Sequence, residues 1–284
     1  MLFNESVPSV NQTFFHRLFA YYLRTPDHPC KLRLARWLRK LLGIRKVCAS
    51  TRQGWMELDP GDLVQMEILR YGAYETATCA LLESLVREGD VFVDVGANVG
   101  QYSLLAARLC GPAGRVLALE PNPDIFLAMR RNIALNSLGN IDALLMAASS
   151  LDSPVSMLEP PPSQLGTSRM AGNSRAGDYW SGGYKLTTIL KCLSLTRCDV
   201  VKIDVEGHEN EVLEGLLQDR ETRPRHIVFE FVPLAFDYGG KAEAMLQELR
   251  DADYQLRAVN GKSYQSGMDL PDSNLWASLI EVSA

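Results

Sequence analysis

The sequence predicts an α/β fold with a mostly parallel sheet, built around a βαβ unit between residues 91 and 120. An apolar run at residues 91–95 is typical of a buried strand, and apolar residues then recur at helical spacing over residues 104–109. Gly96 and Gly100 lie between these segments and permit a tight turn. Strand, glycine turn and helix therefore follow one another in the order of a parallel βαβ crossover.

The second strand of this unit ends in an acidic residue. Residues 116–119 are apolar and are followed by Glu120. An acid at this position can bind the two ribose hydroxyls of a nucleoside. Dinucleotide-binding turns have a middle glycine through which backbone amides approach a pyrophosphate, but this chain has Asn98 there. The turn therefore favours a nucleoside cofactor without a pyrophosphate, and S-adenosylmethionine is the common example.

Three motifs together resemble those of the FkbM-type family of S-adenosylmethionine-dependent methyltransferases. They are D-V-G-A-N-V-G-Q-Y-S at residues 94–103, L-E-P-N-P at residues 119–123 and K-I-D-V-E-G-H-E at residues 202–209. The resemblance runs from about Gly72 to the C-terminus. It implies the Rossmann-like class I methyltransferase fold, an α/β fold whose mostly parallel seven-stranded sheet has an antiparallel last strand. It also implies O-methylation of a hydroxyl group on a sugar, glycan or polyketide-like metabolite, with S-adenosylmethionine as cofactor.

Charge divides the chain into two parts. Residues 1–50 hold nine Lys or Arg and two acidic residues, whereas residues 51–284 hold 20 Lys or Arg and 32 acidic residues. The first part thus carries a net charge of +7 and the second a net charge of −12. We predict a basic helical N-terminal extension at residues 1–50 and a methyltransferase domain at residues 51–284. Because the acidic domain would repel phosphate groups, no nucleic-acid partner is expected.

Residues 30–43 predict a basic amphipathic helix. Its apolar face consists of Leu34, Trp37, Leu38, Leu41 and Leu42. Its basic face consists of Arg33, Arg36, Arg39 and Lys40. The apolar face is expected to pack on the catalytic body or on a second subunit. The alternative is contact with an anionic membrane surface or a lipid-linked substrate, since a basic face beside Trp and Leu suits an interface.

Composition excludes several classes of protein. No apolar run approaches the roughly 18 residues of a transmembrane helix. We therefore expect a cytoplasmic protein, with the inner face of a membrane as an alternative position. The six cysteines include no C-x-x-C pair, and Cys79 and Cys110 lie among apolar residues of predicted helices. They are expected to be reduced thiols and not zinc ligands.

The next elements flank the expected cofactor site. After a lead-in over residues 51–74 with a turn at Pro60-Gly61, residues 75–87 predict a helix. The resemblance makes Tyr74 and Glu75 candidate lid residues, because the segment before the first strand commonly lies over the cofactor in class I methyltransferases. The alternative is an ordinary helix N-terminus with a favourable acid in its first turn.

A helix is also predicted after Glu120, with Asn122 as its N-cap and Pro123 at its first position. A third strand is predicted at about residues 141–147. In class I methyltransferases the loop after this strand touches the adenine, which places Ser149 there by resemblance. A plain strand-end turn is the alternative for this loop.

The resemblance assigns a cofactor-binding set along these elements. The set consists of Tyr74, Glu75, Asp94, Gly96, Ala97, Asn98, Gly100, Tyr102, Glu120, Pro121, Asn122, Ser149 and Asp204.

Residues 159–184 change in composition, with three prolines, five glycines and several serines. They predict either a surface loop or a lid or substrate loop beside the active site. The aromatic and basic residues in this segment would suit a sugar or an anionic acceptor. They are Arg169, Arg175, Tyr179, Trp180 and Tyr184.

The candidate catalytic residues follow a buried strand at residues 199–205. Asp204, Glu206 and His208 lie at its carboxyl end, the edge at which parallel sheets bind ligands. Methyl transfer to a hydroxyl group requires removal of a proton, and His208 is the first choice of base because its ordinary pKa is near neutrality. Asp204 or Glu206 would orient it or contact the positively charged donor. As an alternative, these three residues could hold a divalent ion that acidifies the hydroxyl, but no metal is predicted.

The remaining elements complete the sheet. Residues 227–232 predict a fifth strand, in which Glu230 would be costly to bury without a partner. Residues 254–259 and 275–282 predict an antiparallel pair. One departure from the family lies before the strand at 199–205, where Thr-Thr-Ile-Leu-Lys at residues 187–191 replaces a Thr-Thr-Leu-Asp run. If that acid contacts the acceptor in other members, the acceptor here differs.

Two other functions are compatible with the same βαβ unit. An NAD-dependent oxidoreductase would bind a dinucleotide there, which Asn98 disfavours. A degenerate methyltransferase fold could act as a non-catalytic scaffold, because fold alone does not prove activity. An intact motif set disfavours the scaffold; its members are Asp94, Gly96, Gly100, Glu120 and Asp204.

Overall fold

A computed structural model describes residues 13–161, 168–171, 177–232 and 242–280. Helices and strands alternate over most of this part of the chain. Its helices are α1 (Phe14–Arg24), α2 (Lys31–Leu41), α3 (Leu63–Tyr71), α4 (Thr76–Leu85), α5 (Gln101–Cys110), α6 (Pro123–Leu135), α7 (Leu186–Cys192), α8 (Glu209–Leu217) and α9 (Ala242–Asp251). Its strands are β1 (Val47–Thr51), β2 (Gly54–Leu58), β3 (Val91–Val95), β4 (Arg115–Leu119), β5 (Ile141–Leu144), β6 (Ala147–Ala148), β7 (Ser153–Leu158), β8 (Arg169–Met170), β9 (Tyr179–Tyr184), β10 (Val200–Ile203), β11 (His226–Glu230), β12 (Tyr254–Ala258) and β13 (Asn274–Leu279).

The main sheet of the described residues has seven strands in the order β12-β13-β11-β10-β3-β4-β5. The neighbours from β5 to β11 pair in parallel, whereas β13 is antiparallel to both β11 and β12. This is the mostly parallel sheet with one antiparallel strand that was predicted, and the fold class is confirmed. The chain leaves β3 toward β4 and later returns to its other side at β10. Ligands of open α/β sheets bind at such a switch point, outside the carboxyl ends of the strands.

Both faces of the central strands are covered, which explains why these strands are apolar without alternation. Val93 and Val95 of β3 pack in one cluster with residues of α7, α8 and α9. Phe92 lies on the opposite face, in a second cluster with residues of α4 and α5. The sheet is therefore a rigid middle layer, and its strand ends are held at fixed positions.

A smaller sheet corrects one prediction. β6, β9, β7 and β8 form a four-stranded sheet in the described residues. The expectation of one continuous loop over residues 159–184 is therefore wrong at residues 169–170 and 179–184. A β-carbon on Gly183 would lie 2.7 Å from the carbonyl oxygen of Ser153, so this glycine permits close strand packing and does not mark a loop. Arg175 lies outside the described residues.

The segment before the βαβ unit is more structured than predicted. β1 and β2 form an antiparallel hairpin, and α3 follows the predicted turn at Pro60-Gly61. Asn132 of α6 fixes the hairpin, because its Oδ1 accepts from the backbone N of Glu57 at 2.7 Å and its Nδ2 donates to the carbonyl oxygen of Val99 at 2.9 Å. The predicted domain boundary after residue 50 is wrong, because it divides β1.

The two N-terminal helices bury only part of their apolar surface. α1 packs Phe19 and Leu23 into a cluster that also contains Ile68 of α3. α2 instead buries Lys31 and Ala35. Trp37 and Leu41 of the predicted packing face are 57% and 63% exposed, and Leu34 and Leu42 are exposed as well. The expectation that this face packs on the catalytic body is therefore wrong, except for the partly buried Leu38.

No helix among the described residues has the length and apolar character needed to cross a bilayer.

Candidate active site

Gly96 forms the turn after β3, where two strand ends approach each other. Its backbone N donates to the carbonyl oxygen of Leu119 at 3.0 Å, and the backbone N of Asp204 donates to the carbonyl oxygen of Val95 at 3.0 Å. Gly96 has a φ of 78°. A β-carbon at this position would lie 1.8 Å from the carbonyl oxygen of Asp204. Any side chain here would therefore force apart the ends of β3 and β10.

Glu120 joins this turn to the tip of β4. Its Oε2 accepts from the backbone N of Asn98 and its Oε1 from the backbone N of Asn122, both at 2.9 Å. The side chain is only 4% exposed. Burial raises the pKa of Glu120 to about 7, although the two amide hydrogen bonds lower it. Because a carboxylate oxygen can accept more than one hydrogen bond, both oxygens can still accept from hydroxyl groups of a ligand.

The start of α6 is capped as predicted. The Oδ1 of Asn122 accepts from the backbone N of Asp124 at 3.0 Å and of Ile125 at 3.2 Å. Its Nδ2 donates to Ser168 Oγ at 2.9 Å. Asn122 is therefore engaged in holding the helix and the loop before β8. The neighbouring Pro121 is the residue that reaches a cavity wall.

Two cavities adjoin at the switch point, and Gly96 and Asp204 line both of them. The first has an empty volume of about 600 Å³ and the second of about 420 Å³, each including its open mouth. The walls of the first are Val64, Ile68, Tyr74, Gly96, Ala97, Asn98, Val99, Gln101, Tyr102, Asp204, Glu206 and Glu230. The walls of the second include Glu120, Pro121, Met146, Ala147, Ala148, Met157, Ser168, Arg169 and Met170. Together they form one cleft, with Glu120 on one side of Gly96 and Glu230 on the other.

Lys202 is a fully buried cation behind the first cavity. Its Nζ lies 3.4 Å from Asp204 Oδ2 and 5.5 Å from the ring centroid of Tyr102. Burial lowers the pKa of Lys202, but Asp204, Glu75 and nearby carboxyl groups raise it by more, so the net shift is upward. Lys202 therefore stays charged and partly neutralises the acids around it.

The first cavity is nevertheless rich in carboxyl groups. Asp204, Glu206 and Glu230 all lie on its wall. Burial, and then the charge of Asp204, raise the pKa of Glu206 to about 7 and that of Glu230 to about 9. Oε2 of Glu230 has no hydrogen-bond partner among the described residues. This wall therefore favours a ligand that brings positive charge or hydrogen-bond donors.

Glu209, the last residue of the motif at 202–209, stabilises the turn that contains Glu206. Its Oε1 accepts from the backbone N of Val205 at 3.0 Å and of Gly207 at 3.4 Å. Glu206 itself has a φ of 57°, in the left-handed region. A carboxylate that gathers two amides holds such a turn in place, so Glu209 acts on the site through Glu206.

The two predicted lid residues, Tyr74 and Glu75, differ in whether they line the cleft. Tyr74 lines the first cavity, and Gln101 fixes its backbone: Oε1 of Gln101 accepts from the backbone N of Tyr74 at 2.7 Å and Nε2 donates to its carbonyl oxygen at 3.0 Å. Glu75 does not line either cavity. Its Oε2 accepts from Tyr102 Oη at 2.5 Å and from Asn274 Nδ2 at 3.0 Å. Burial, the largest cause, raises the pKa of Glu75 to about 7, although Lys202 opposes the shift.

Three other predicted cofactor residues, Asp94, Gly100 and Ser149, do not line either cavity. Asp94 is buried and accepts from Ser103 Oγ at 2.5 Å, and burial raises its pKa to about 6. Gly100 caps α5 and packs against Met129. The backbone N of Ser149 donates to the carbonyl oxygen of Tyr184, beside wall residues 146–148. These contacts hold the cleft in shape and do not face into it.

His208 does not line either cavity. Its Nε2 lies 3.0 Å from the carbonyl oxygen of Met170, and its Nδ1 lies 3.4 Å from Glu211 Oε1. Burial lowers the pKa of His208, but the contact with Glu211 raises it by more. Both ring nitrogens thus have partners within the chain, and the role of His208 as base stays a prediction. No group of three or more His, Cys, Asp or Glu side chains in the described ranges is arranged to hold a metal ion.

The cleft contains residues that sequence reasoning missed. Gln101 and the α3 residues Val64 and Ile68 lie on the wall of the first cavity, and Glu230 joins them from β11. Lys202 and Glu230 carried a signal, because each is a charged residue within an apolar strand. α3 carried a helix signal as well, with Asp62 as N-cap and Gly72 after its last turn, but its position beside the cleft depends on the tertiary fold.

The fold and the cleft define a Rossmann-like α/β protein with an open cleft at the switch point of its sheet. The chain belongs to the FkbM methyltransferase family: the sequence profile of the methyltransferase FkbM domain matches residues 94–256, more than half of the 284 residues. The match confirms the family that the motifs predicted.

Two curated relatives are similar to about half of this chain. Methyltransferase sdnD of Sordaria araneosa is 32% identical over 169 residues, which cover 49% of this chain and 64% of that protein. Hexuronic acid methyltransferase AglP of Haloferax volcanii is 32% identical over 136 residues, which cover 48% of this chain and 54% of that protein. The matches therefore span between about half and two thirds of the length of these relatives.

Solved methyltransferase structures are more distant. Precorrin-6y C5,15-methyltransferase from Geobacter metallireducens has a TM-score of 0.42 at 17% identity, covering 72% of this chain and 86% of that chain. Fibrillarin from Aeropyrum pernix, solved with natively bound S-adenosyl-L-methionine, has a TM-score of 0.42 at 13% identity, covering 71% of this chain and 74% of that chain.

Proposed function

We propose that this protein transfers a methyl group from S-adenosylmethionine to a hydroxyl group of a small sugar-like or polyketide-like acceptor. Membership of a methyltransferase family supports the reaction class. The observation that carries the proposal is the position of Glu120 at the end of β4. Its buried carboxyl group accepts hydrogen bonds from the backbone amides of two adjacent turns. That arrangement fits a ribose and offers no amide cradle for a pyrophosphate.

The residues of the cleft fit this cofactor. Glu120 would bind the ribose hydroxyls, and the turn at Gly96, where a side chain is excluded, leaves room for a ligand to lie against the backbone. The carboxyl groups of Asp204, Glu206 and Glu230 would face the cationic end of the donor. When bound, S-adenosylmethionine supplies an electrophilic methyl group on a positively charged sulfur.

We assign the proton acceptor to Glu206 rather than to His208. A general base works best when its pKa is near the operating pH and when it faces the substrate. Glu206 lies on the cavity wall and has a pKa of about 7. Asp204, paired with Lys202, would hold negative charge beside the donor. Glu230, whose pKa is about 9, keeps a proton at neutral pH and would donate a hydrogen bond to the acceptor.

The experiment that tests the proposal is calorimetric titration of the protein with S-adenosylmethionine, S-adenosylhomocysteine and NAD. We expect the first two to bind and NAD not to bind. Glu120→Gln should weaken S-adenosylmethionine binding by about 1–3 kcal/mol, roughly 5- to 150-fold, because charged hydrogen bonds to the ribose are lost. Glu88→Gln, at an exposed glutamate outside the cleft, is the matched control.

Three outcomes would contradict parts of the proposal. Tighter binding of NAD than of S-adenosylmethionine would favour the oxidoreductase. Unchanged affinity of Glu120→Gln would remove Glu120 from the ribose. If the cofactor binds normally but incubation with methyl-labelled cofactor and a panel of sugars and polyketide alcohols yields no labelled product, the scaffold alternative gains support.

A further inference from the structure

The two N-terminal helices leave a large apolar surface that the proposed methyl transfer does not use. Nine large apolar side chains of residues 14–42 are exposed in the described part of the chain. The most prominent are Phe14, Leu18 and Tyr21 on α1 and Leu34, Trp37 and Leu41 on α2. α1 is apolar on both sides, because Phe19 and Leu23 point into the core while Tyr21 is 71% exposed. A helix that is apolar on its outer side as well is typical of one that meets a second partner besides the core.

Several of these exposed residues lie around a common groove. A groove between α1 and α2 is lined by Phe15, Leu18, Tyr22, Leu38 and Leu42, together with neighbouring residues of the same helices. Its walls are almost entirely apolar. We call residues 14–42 the N-terminal docking surface. Contiguous apolar surface of this kind marks an interaction site more often than scattered apolar residues do.

Basic side chains border this surface. Arg17, Arg33, Arg36, Lys40 and Arg45 make no side-chain hydrogen bond or ion pair with the described residues. The sequence from residue 13 to residue 46 has one acidic residue, Asp27, and this carboxylate already binds Lys31 and Arg70. The border is therefore strongly cationic, and these five side chains have no anionic partner in the part of the chain that the structure describes.

We propose that the N-terminal docking surface binds an anionic lipid bilayer. Apolar and aromatic side chains beside Lys and Arg are the pattern of helices that lie in a membrane interface, with the apolar side in the lipid and the basic side at the headgroups. A second copy of the chain is a poor partner, because two such surfaces would bring their cationic borders together. Residues 51–284 carry a net charge of −12 and are repelled by the same bilayer. The opposite charges of the two parts therefore orient the molecule with α1 and α2 toward the lipid.

One helix separates this surface from the cleft. α1 packs on α3 through Phe19 and Leu23, and Val64 and Ile68 of α3 line the first cavity. A bilayer bound at the docking surface would thus lie beside the end of the cleft that holds Glu230. The proposal concerns binding to the bilayer and does not depend on the methyl transfer.

The test is sedimentation of the full chain with phosphatidylcholine vesicles, with and without phosphatidylglycerol. We expect binding to the anionic vesicles, little binding to pure phosphatidylcholine, and loss of most binding when salt is raised from about 0.1 M to about 1 M. Trp37→Ser/Leu41→Ser and, separately, Arg33→Gln/Arg36→Gln/Lys40→Gln should each weaken partitioning by about tenfold or more. Because these side chains are exposed, the substitutions should leave the melting temperature unchanged. Measuring it verifies that the variants are folded.

The matched control is Trp180→Ser/Leu151→Ser, since these side chains are 72% and 63% exposed but lie outside the docking surface. This control should bind anionic vesicles like the unaltered chain. The proposal is overturned if the unaltered chain ignores anionic vesicles or if the Trp37/Leu41 variant binds them undiminished. It is also overturned if light scattering gives twice the 31.6 kDa of one chain and the Trp37/Leu41 substitutions restore the monomer, because a second copy then covers the surface.

Discussion

The turn at Gly96 offers the sharpest single test of the site geometry. In Gly96→Ala the new β-carbon would start 1.8 Å from the carbonyl oxygen of Asp204, and β-carbons are essentially never found closer than 3.0 Å to such an atom. The end of β10 would therefore have to recede by about 1.2 Å, the difference between those two distances. The backbone hydrogen bond from Asp204 to Val95, now 3.0 Å long, lies directly in the path of that movement.

Two separate costs contribute to the expected loss of stability. An alanine held at a φ of 78° costs about 1–2 kcal/mol. Overpacking against a backbone atom that cannot turn away costs a further 1–3 kcal/mol or so. We therefore expect Gly96→Ala to lower the free energy of unfolding by about 2–5 kcal/mol, measured by urea denaturation followed by circular dichroism. Affinity for S-adenosylmethionine should fall in the same variant, because Asp204 and the turn move together.

Gly261→Ala separates the two costs. Gly261 has a φ of 83°, but a β-carbon there would meet nothing within 4 Å. This control should lose only the conformational part, about 1–2 kcal/mol, and should keep its cofactor affinity. Equal losses of stability in the two alanine variants would refute the close approach of the ends of β3 and β10.

The remaining predictions concern proton transfer. Because burial raises the pKa of Glu206 to about 7 and a base must be unprotonated, turnover should rise with pH through about 7. Glu206→Gln should lower turnover by about 10²- to 10⁴-fold and remove this rise, whereas Glu214→Gln, at an exposed residue of α8, should do neither. His208→Ala should lower the melting temperature through loss of its contacts with Met170 and Glu211, and should reduce turnover per folded molecule by less than about tenfold. A loss of about 100-fold or more with unchanged cofactor affinity would return the base to His208.

The parts of the fold that the sequence predicted well are those encoded by neighbouring residues. The apolar run before Gly96, the acid Glu120 at the end of β4 and the cap at Asn122 are local patterns, and each has one compatible geometry. The smaller sheet was missed because its strands pair across long stretches of sequence, and the glycine at Gly183 was interpreted as loop composition. Asp94 was assigned to the cofactor by its motif and Glu75 by its place before the first strand, and neither signal shows which way a side chain points.

Helical periodicity gave a different kind of error at α2. The spacing of Trp37 and Leu41 correctly identified an apolar face, but it carries no information on what the face meets. The core instead contacts α2 through Lys31 and Ala35, and the long stem of a lysine can occupy an apolar site while its ammonium group reaches polar partners. Whether that face is buried or exposed could not be predicted without the positions of α1 and α3.

Several acids around Lys202 are partly or largely protonated at neutral pH. At neutral pH Glu75 and Glu206, with pKa values of about 7, are close to half protonated, and Glu230, with a pKa of about 9, is largely protonated. A positive charge that enters would lower these pKa values and expel protons into the solvent, so its binding grows tighter in alkaline buffer. A ligand that has lost its charge would no longer hold the carboxylates ionised, and the protons would return. We therefore expect the number of protons released on binding to differ between a charged sulfur compound and its neutral counterpart, which calorimetry in buffers of different ionisation enthalpy would measure.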